Sequence, residues 1–159
     1  MTDMQDAPAG WTARGLVAIG TAALTGAFAI AFLWGERQGV DLTAGVWAFV
    51  AGTLAGHILG GFVLGWSLAG LFGRSGAGGW ALAALGGALV TVLGGLIGTA
   101  VEVLPAALGG AGLAAALVRV ATGALITPLA IASAPWLGAV WLAAVATIHL
   151  AARAARRRL

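Results

Sequence analysis

Residues 15–34, GLVAIGTAALTGAFAIAFLW, run for twenty positions without a charged side chain. A helix of that length covers about 30 Å, the thickness of a bilayer's hydrocarbon core. Similar runs follow at 44–72 and 80–101, the third ending at Glu102 with Pro105 just beyond. The second is longer than a crossing needs, so it is expected to tilt or project. Residues 106–152 form a less regular apolar region, with Arg119 and Pro128 inside 106–134 and Pro135 following. A chain built from such segments is expected to be an all-α integral membrane bundle, because lipid offers no hydrogen bonds to an open backbone.

The balance of residue types agrees. Charged residues make up only 8% of the 159 residues, against 61% hydrophobic. Soluble domains carry about 25% charged residues. The expected organisation is a polar segment at 1–14, one membrane domain at 15–152 and a basic tail at 153–159. Short connections lie at 35–43 (GERQGVDLT) and 73–79 (GRSGAGG). Asp3 and Asp6 precede Arg14, and the apolar run after it is too long for a signal-peptide core. The first run therefore reads as a retained helix.

Tryptophan and arginine set depth and direction. Indole rings favour the membrane interface. Trp11 and Trp34 bracket the first span, Trp47 and Trp66 the second, and Trp80 opens the third. Every basic residue is an arginine, and four of the eight, Arg153, Arg156, Arg157 and Arg158, lie in the last seven positions. Positive residues stay on the cytoplasmic side. With the N-terminus also inside, Arg14, Arg74 and the tail are cytoplasmic and Arg37 is outside. That arrangement requires four crossings, with 106–118 at or dipping into the outer interface. One kinked helix would then run from about Arg119 to the tail. The alternative has five crossings, makes 107–133 a complete helix, and leaves Arg119 near mid-membrane. The tail is cytoplasmic in both, and a bacterial inner membrane is the expected location.

Several classes of function are excluded by content. There are no cysteines, hence no disulfides, thiolate metal sites, Fe–S clusters or thiol chemistry. The high pI belongs to a tail and not to a basic folded face, so nucleic-acid binding is not expected. Ser67, Ser75 and Ser133 have no candidate base nearby in sequence, and no metalloprotease, phosphate-loop or dinucleotide signature occurs. No enzyme activity and no metal site are expected.

The candidate functional residues are few. Gly52, Gly56, Gly60, Gly61 and Gly65 line the second span. Gly87, Thr91, Gly95 and Thr99 form a stripe on the third, with Gly94 and Gly98 on the next. Small residues at this spacing let helix backbones approach closely, which drives association where lipid removes the hydrophobic drive. They serve packing within the chain or contact with another copy or subunit.

His57 stands mid-span, with Thr53 and Gly61 one turn away. An ionisable group there is expensive and suggests haem or pigment ligation or proton transfer. The bland alternative is a neutral ring bonded to a neighbouring helix. His149 is expected at the cytoplasmic interface, on the order of 10 Å from the depth of His57, which disfavours one haem held by both. Two copies of His57 across a dimer would remain possible.

Glu102 and Arg119 reach a similar outer level in the four-crossing arrangement and could pair. Pro128, with Thr122 and Thr127, reads as a kink whose freed carbonyls take hydroxyl donors. The tail arginines suit topology and anionic-lipid contact. These features favour a non-enzymatic accessory or assembly subunit, packed by glycine faces into a larger complex. One alternative is a small oligomeric channel or transporter lined by Arg119, Glu102 and His57. The other is a haem- or pigment-binding protein.

Overall fold

The computed structural model describes residues 10–35, 41 and 43–157. Asp3, Asp6, Glu36, Arg37 and Arg158 lie outside the described residues. Five helices run through the rest: α1 Trp11–Gly35, α2 Ala44–Ser67, α3 Gly76–Ala106, α4 Leu113–Ser133 and α5 Trp136–Arg156. Each is long and apolar enough to cross a membrane. Large apolar side chains, including Ile19, Leu85 and Leu142, face outward along the bundle, where lipid would meet them. The chain is a multi-pass membrane helical bundle.

Several helix limits differ from the sequence expectation, for local reasons. α1 starts at Trp11 because Ala13 is already buried and Trp11 packs edge-on to Trp66 at 5.4 Å. The second span stops at Ser67, and a 3-10 turn at Ala69–Leu71 carries the chain on. Buried Phe72 and left-handed Gly73 (φ 78°) then make the turn, so α3 begins within the glycine run, at Gly76. α3 also passes through Pro105, since a proline removes only one amide donor from a helix. It yields at a π turn, Ala107–Ala111, where Gly110 (φ 106°) adopts a conformation that favours glycine.

The helices meet backbone to backbone. A Cβ on Gly56 would lie 2.6 Å from the Gly98 carbonyl oxygen, and one on Gly60 would strike Gly94. These contacts join α2 to α3. Gly95 and Gly123 join α3 to α4 in the same way. Gly61 and Gly65 receive Thr25, Thr21 and Ala18 of α1. Two hydroxyls fasten that seam: Thr21 donates to the Gly61 carbonyl (2.8 Å) and Thr25 to the His57 carbonyl (2.7 Å). Gly87 faces Val145 and Trp141 of α5, and Gly52 faces the Glu102 carboxyl. The glycine stripes are therefore filled within the chain.

α4 and α5 do not form a hairpin. Along α4 and then α5, successive contacts descend α3: Arg119 meets Glu102, Gly123 meets Gly95, Val145 meets Gly87 and His149 meets Trp80. Ala152 then meets Gly73. Both helices thus run antiparallel to α3, broken between Ser133 and Trp136 by Ala134 (φ −141°) and Pro135. In place of one kinked helix from about Arg119 to the tail there are two, the first starting at Leu113. The start of α1 and the end of α5 lie at the same end of the bundle, where Arg156 donates to the Ala69 carbonyl at 3.2 Å.

Candidate functional site

On α2, Trp47 and Trp66 stand nineteen residues apart, about 28 Å along a helix. His57 lies midway between them. Its ring is buried between α2, α3 and α4, in contact with the Gly95–Gly123 crossing. Nδ1 donates to the Thr53 carbonyl at 2.8 Å. A carbonyl has no proton to give, so Nδ1 carries the hydrogen, and in the neutral ring Nε2 carries the lone pair. Nε2 has no hydrogen-bond partner among the described residues, nor has the buried Thr99 hydroxyl.

Thr53 connects the histidine to charge. Its hydroxyl donates to Glu102 Oε2 at 3.3 Å, and Arg119 Nη2 donates to Glu102 Oε1 at 2.9 Å. The Arg119 guanidinium also sits 5.4 Å from the centre of the Phe49 ring, one turn further out on α2. Side-chain exposure falls inward, from 48% for Arg119 to 17% for Glu102, and Thr53 and His57 are buried. The result is a polar ladder, Arg119–Glu102–Thr53–His57, from the outer part of the bundle to its middle, in which Thr53 meets Glu102 with its hydroxyl and His57 with its backbone carbonyl. Thr53 is about 6 Å from the His57 level and Phe49 about 12 Å. The ion pair therefore reaches below the Trp47 level and is not a purely interfacial contact.

The three ionisable residues singled out by sequence come together here. Thr53, which links them, carries no charge signal and was legible only as a neighbour one turn from His57. Elsewhere, Thr91 bonds the Gly87 carbonyl (2.6 Å) and accepts from Trp141 Nε1 (3.0 Å), which draws that tryptophan inward. Thr122 donates to the Val118 carbonyl and not to the Ala124 carbonyl that Pro128 frees.

His149 corrects its expectation. It sits near the arginine-bearing end but is fully buried, accepting from the Gly73 amide (3.1 Å) beneath Trp80 at 4.5 Å. Its α3 neighbour, Trp80, is fifteen residues from Gly95, beside His57, a gap of about 22 Å and not 10 Å. One haem cannot span the pair. A haem shared by two copies of His57 does not fit either, because Nε2 points into closely packed glycines and not toward the perimeter. Of the tail, Arg156 reaches back to cap the turn after α2, while Arg157 is exposed and Arg153 half-buried.

Among the described residues, no three metal-ligating side chains cluster. No family model, curated protein or solved structure matches the chain.

Proposed function

We propose that this protein is a non-enzymatic, four-crossing membrane protein that passes a small ion along the Arg119–Glu102–Thr53–His57 ladder. The observation that supports this reading is the row of polar contacts, Arg119 to Glu102, Glu102 to the Thr53 hydroxyl and the Thr53 carbonyl to His57, from a half-exposed arginine to a buried midspan histidine. Ionisable groups at membrane depth are costly and mark ion or proton paths. The same-end placement of the start of α1 and the end of α5 supports four crossings, with both termini in the cytoplasm of a bacterial cell. α4 and α5 together then make the last crossing. Close contact at Gly56–Gly98, Gly60–Gly94 and Gly95–Gly123 leaves no lumen for a larger solute.

Proteoliposomes test the ion reading. The wild-type protein is expected to dissipate an imposed ion gradient, and Arg119→Ala to leave it standing. Wild-type flux no greater than that of empty vesicles would sink it. A periplasm-active reporter should stay silent when fused to Met1 and be active when inserted at Gly109. The reverse pattern would reject the orientation.

A second reading, an accessory subunit of a larger complex, is favoured by the outer faces of α4 and α5. Their apolar stretches are 33% and 28% buried, about as little as the 33% of α2 and less than the 50% of α1. Partner helices would pack on those faces, since the glycine grooves are filled from within. Mass analysis after native-detergent purification separates the readings by the presence or absence of co-purifying subunits.

A further inference from the structure

Arg119 puts a full charge on a face of α4 that is otherwise uncharged. Around it, Val118, Thr122 and Leu125 are exposed, and the Thr122 hydroxyl is committed to the Val118 carbonyl. Phe49 of α2, whose ring the guanidinium covers, is exposed as well. This flank of the bundle therefore meets lipid. Phe49 follows Trp47 by two residues, about 3 Å deeper along α2. Exposed tryptophans mark the headgroup level. The guanidinium thus stands just inside that level, where phosphates give way to hydrocarbon.

A guanidinium carries five N–H donors. Among the described residues, Arg119 makes one hydrogen bond, from Nη2 to Glu102 Oε1. The pair is single-pronged, because the other carboxylate oxygen takes the Thr53 hydroxyl. Most of the fork is left unspent on a side chain that is 48% exposed. Donors facing hydrocarbon without acceptors are costly, and an arginine at this depth ordinarily extends to the headgroups. Here Glu102 at 2.9 Å and the Phe49 ring at 5.4 Å hold the guanidinium in place. The acceptor has to come to it.

We infer that Arg119 binds the phosphodiester of a membrane phospholipid in the leaflet on the Trp47 side. The spacing of guanidinium N–H groups matches that of phosphate oxygens, so one unspent edge can hold two of them. Glu102 and Phe49 orient the fork and leave that edge outward. Free phosphate offers the same oxygens but has no reason to enter an apolar flank. A phospholipid brings its phosphate there with its acyl chains, which lie along the exposed Val118 and Leu125. Glu102 offsets the charge of Arg119, so an excess of negative charge is not what selects the ligand, and a zwitterionic lipid suffices. The inference goes beyond the ion-transfer reading and does not depend on it.

Native mass spectrometry of the delipidated full chain, titrated with dioleoyl phosphatidylethanolamine, tests the site by counting bound lipid. Dioleoylglycerol has the same chains and no phosphate. A large excess of inorganic phosphate separates a lipid ligand from a free anion. Arg153→Gln combined with Arg157→Gln removes exposed charge from the tail, the other place where headgroups gather. Arg119→Gln combined with Glu102→Gln removes both charges of the pair together, which keeps the test open if Arg119→Gln alone fails to fold.

The first phospholipid is expected to bind the wild type well ahead of dioleoylglycerol and to survive excess inorganic phosphate. Arg119→Gln, alone or with Glu102→Gln, should weaken that first binding by roughly tenfold or more. Glu102→Gln alone and the tail variant should keep it. Unchanged binding in the Arg119 variants, or equal binding of dioleoylglycerol, overturns the assignment. Loss of the lipid in the tail variant would move the site to the other end of the bundle and overturn it too. Displacement by inorganic phosphate would make the ligand a free anion, and loss in Glu102→Gln would make the site the ion pair; either result rejects the inference.

Discussion

Gly56 is the position where the packing argument can be measured most directly. Replacing it with alanine adds one carbon 2.6 Å from the Gly98 carbonyl oxygen, 2.9 Å from the carbonyl carbon and 3.3 Å from its Cα. Ordinary contact begins near 3.4 Å. The oxygen is backbone and cannot swing aside, so α2 and α3 must separate by about 0.8 Å at the crossing. Overpacking of this kind costs about 1–3 kcal/mol. Alanine's better helix propensity returns up to about 1 kcal/mol, leaving a net loss of about 0–2 kcal/mol and a gap of about 1–3 kcal/mol from a variant that gains the propensity alone. Denaturant titration in mixed micelles, followed by loss of ellipticity, measures it. Gly15→Ala is the internal control, since nothing lies within 4 Å of its added carbon. It should be neutral or slightly stabilising. Equal stability of the two variants would refute the internal crossing. A changed oligomeric state with unchanged stability would place the Gly56 stripe between copies instead.

Other positions give smaller, separable effects. Thr25→Val removes the hydroxyl donated to the His57 carbonyl and should cost about 0.6 kcal/mol, with about 1.7 kcal/mol as the ceiling, in the same micelle titration. Trp141→Phe loses the bond to Thr91 but leaves Thr91 bonded to Gly87, so a loss of about 1 kcal/mol is expected; a value near 3 kcal/mol would mean that the ring itself carries the packing. Haem added to the purified protein should produce no shifted Soret band, because His57 Nε2 is enclosed; a histidine-ligated spectrum abolished by His57→Asn would show that the α2–α3–α4 junction opens.

Much of the architecture was legible because membrane helices obey few rules. Apolar run length located α1 to α3. Glycine at four-residue intervals announced close contact but not the partner, since a groove in one helix fits any second groove. Only the fold shows Gly56 against Gly98 and Gly95 against Gly123. The ladder was half legible. His57, Glu102 and Arg119 stand out as ionisable groups in apolar runs, whereas Thr53 is an ordinary helix threonine until the register is known. His149 lies toward the arginine-bearing end as expected, but the gap to His57 was underestimated and its burial was not legible. Nothing local reveals that a turn 76 residues away supplies its hydrogen bond.

The least legible stretch, after Glu102, explains why the ladder ends where it does. Pro105 and Pro128 look like the natural breaks, yet both are absorbed into helices. The breaks come at Gly110 and Gly112 and at Ala134, where the backbone leaves helical geometry. Between them, α4 carries Arg119 to Glu102 and Gly123 to Gly95, which borders the His57 ring. α5 then fills the rest of the passage with Trp141, Val145 and Ile148, packed on Gly87 and Gly20. Had one straight helix served the whole passage, the face that presents Arg119 could not have been set independently of the face that packs on α1. The break lets each half choose its own rotation. The outer half completes the polar ladder, and the inner half packs apolar side chains against α1 and α3.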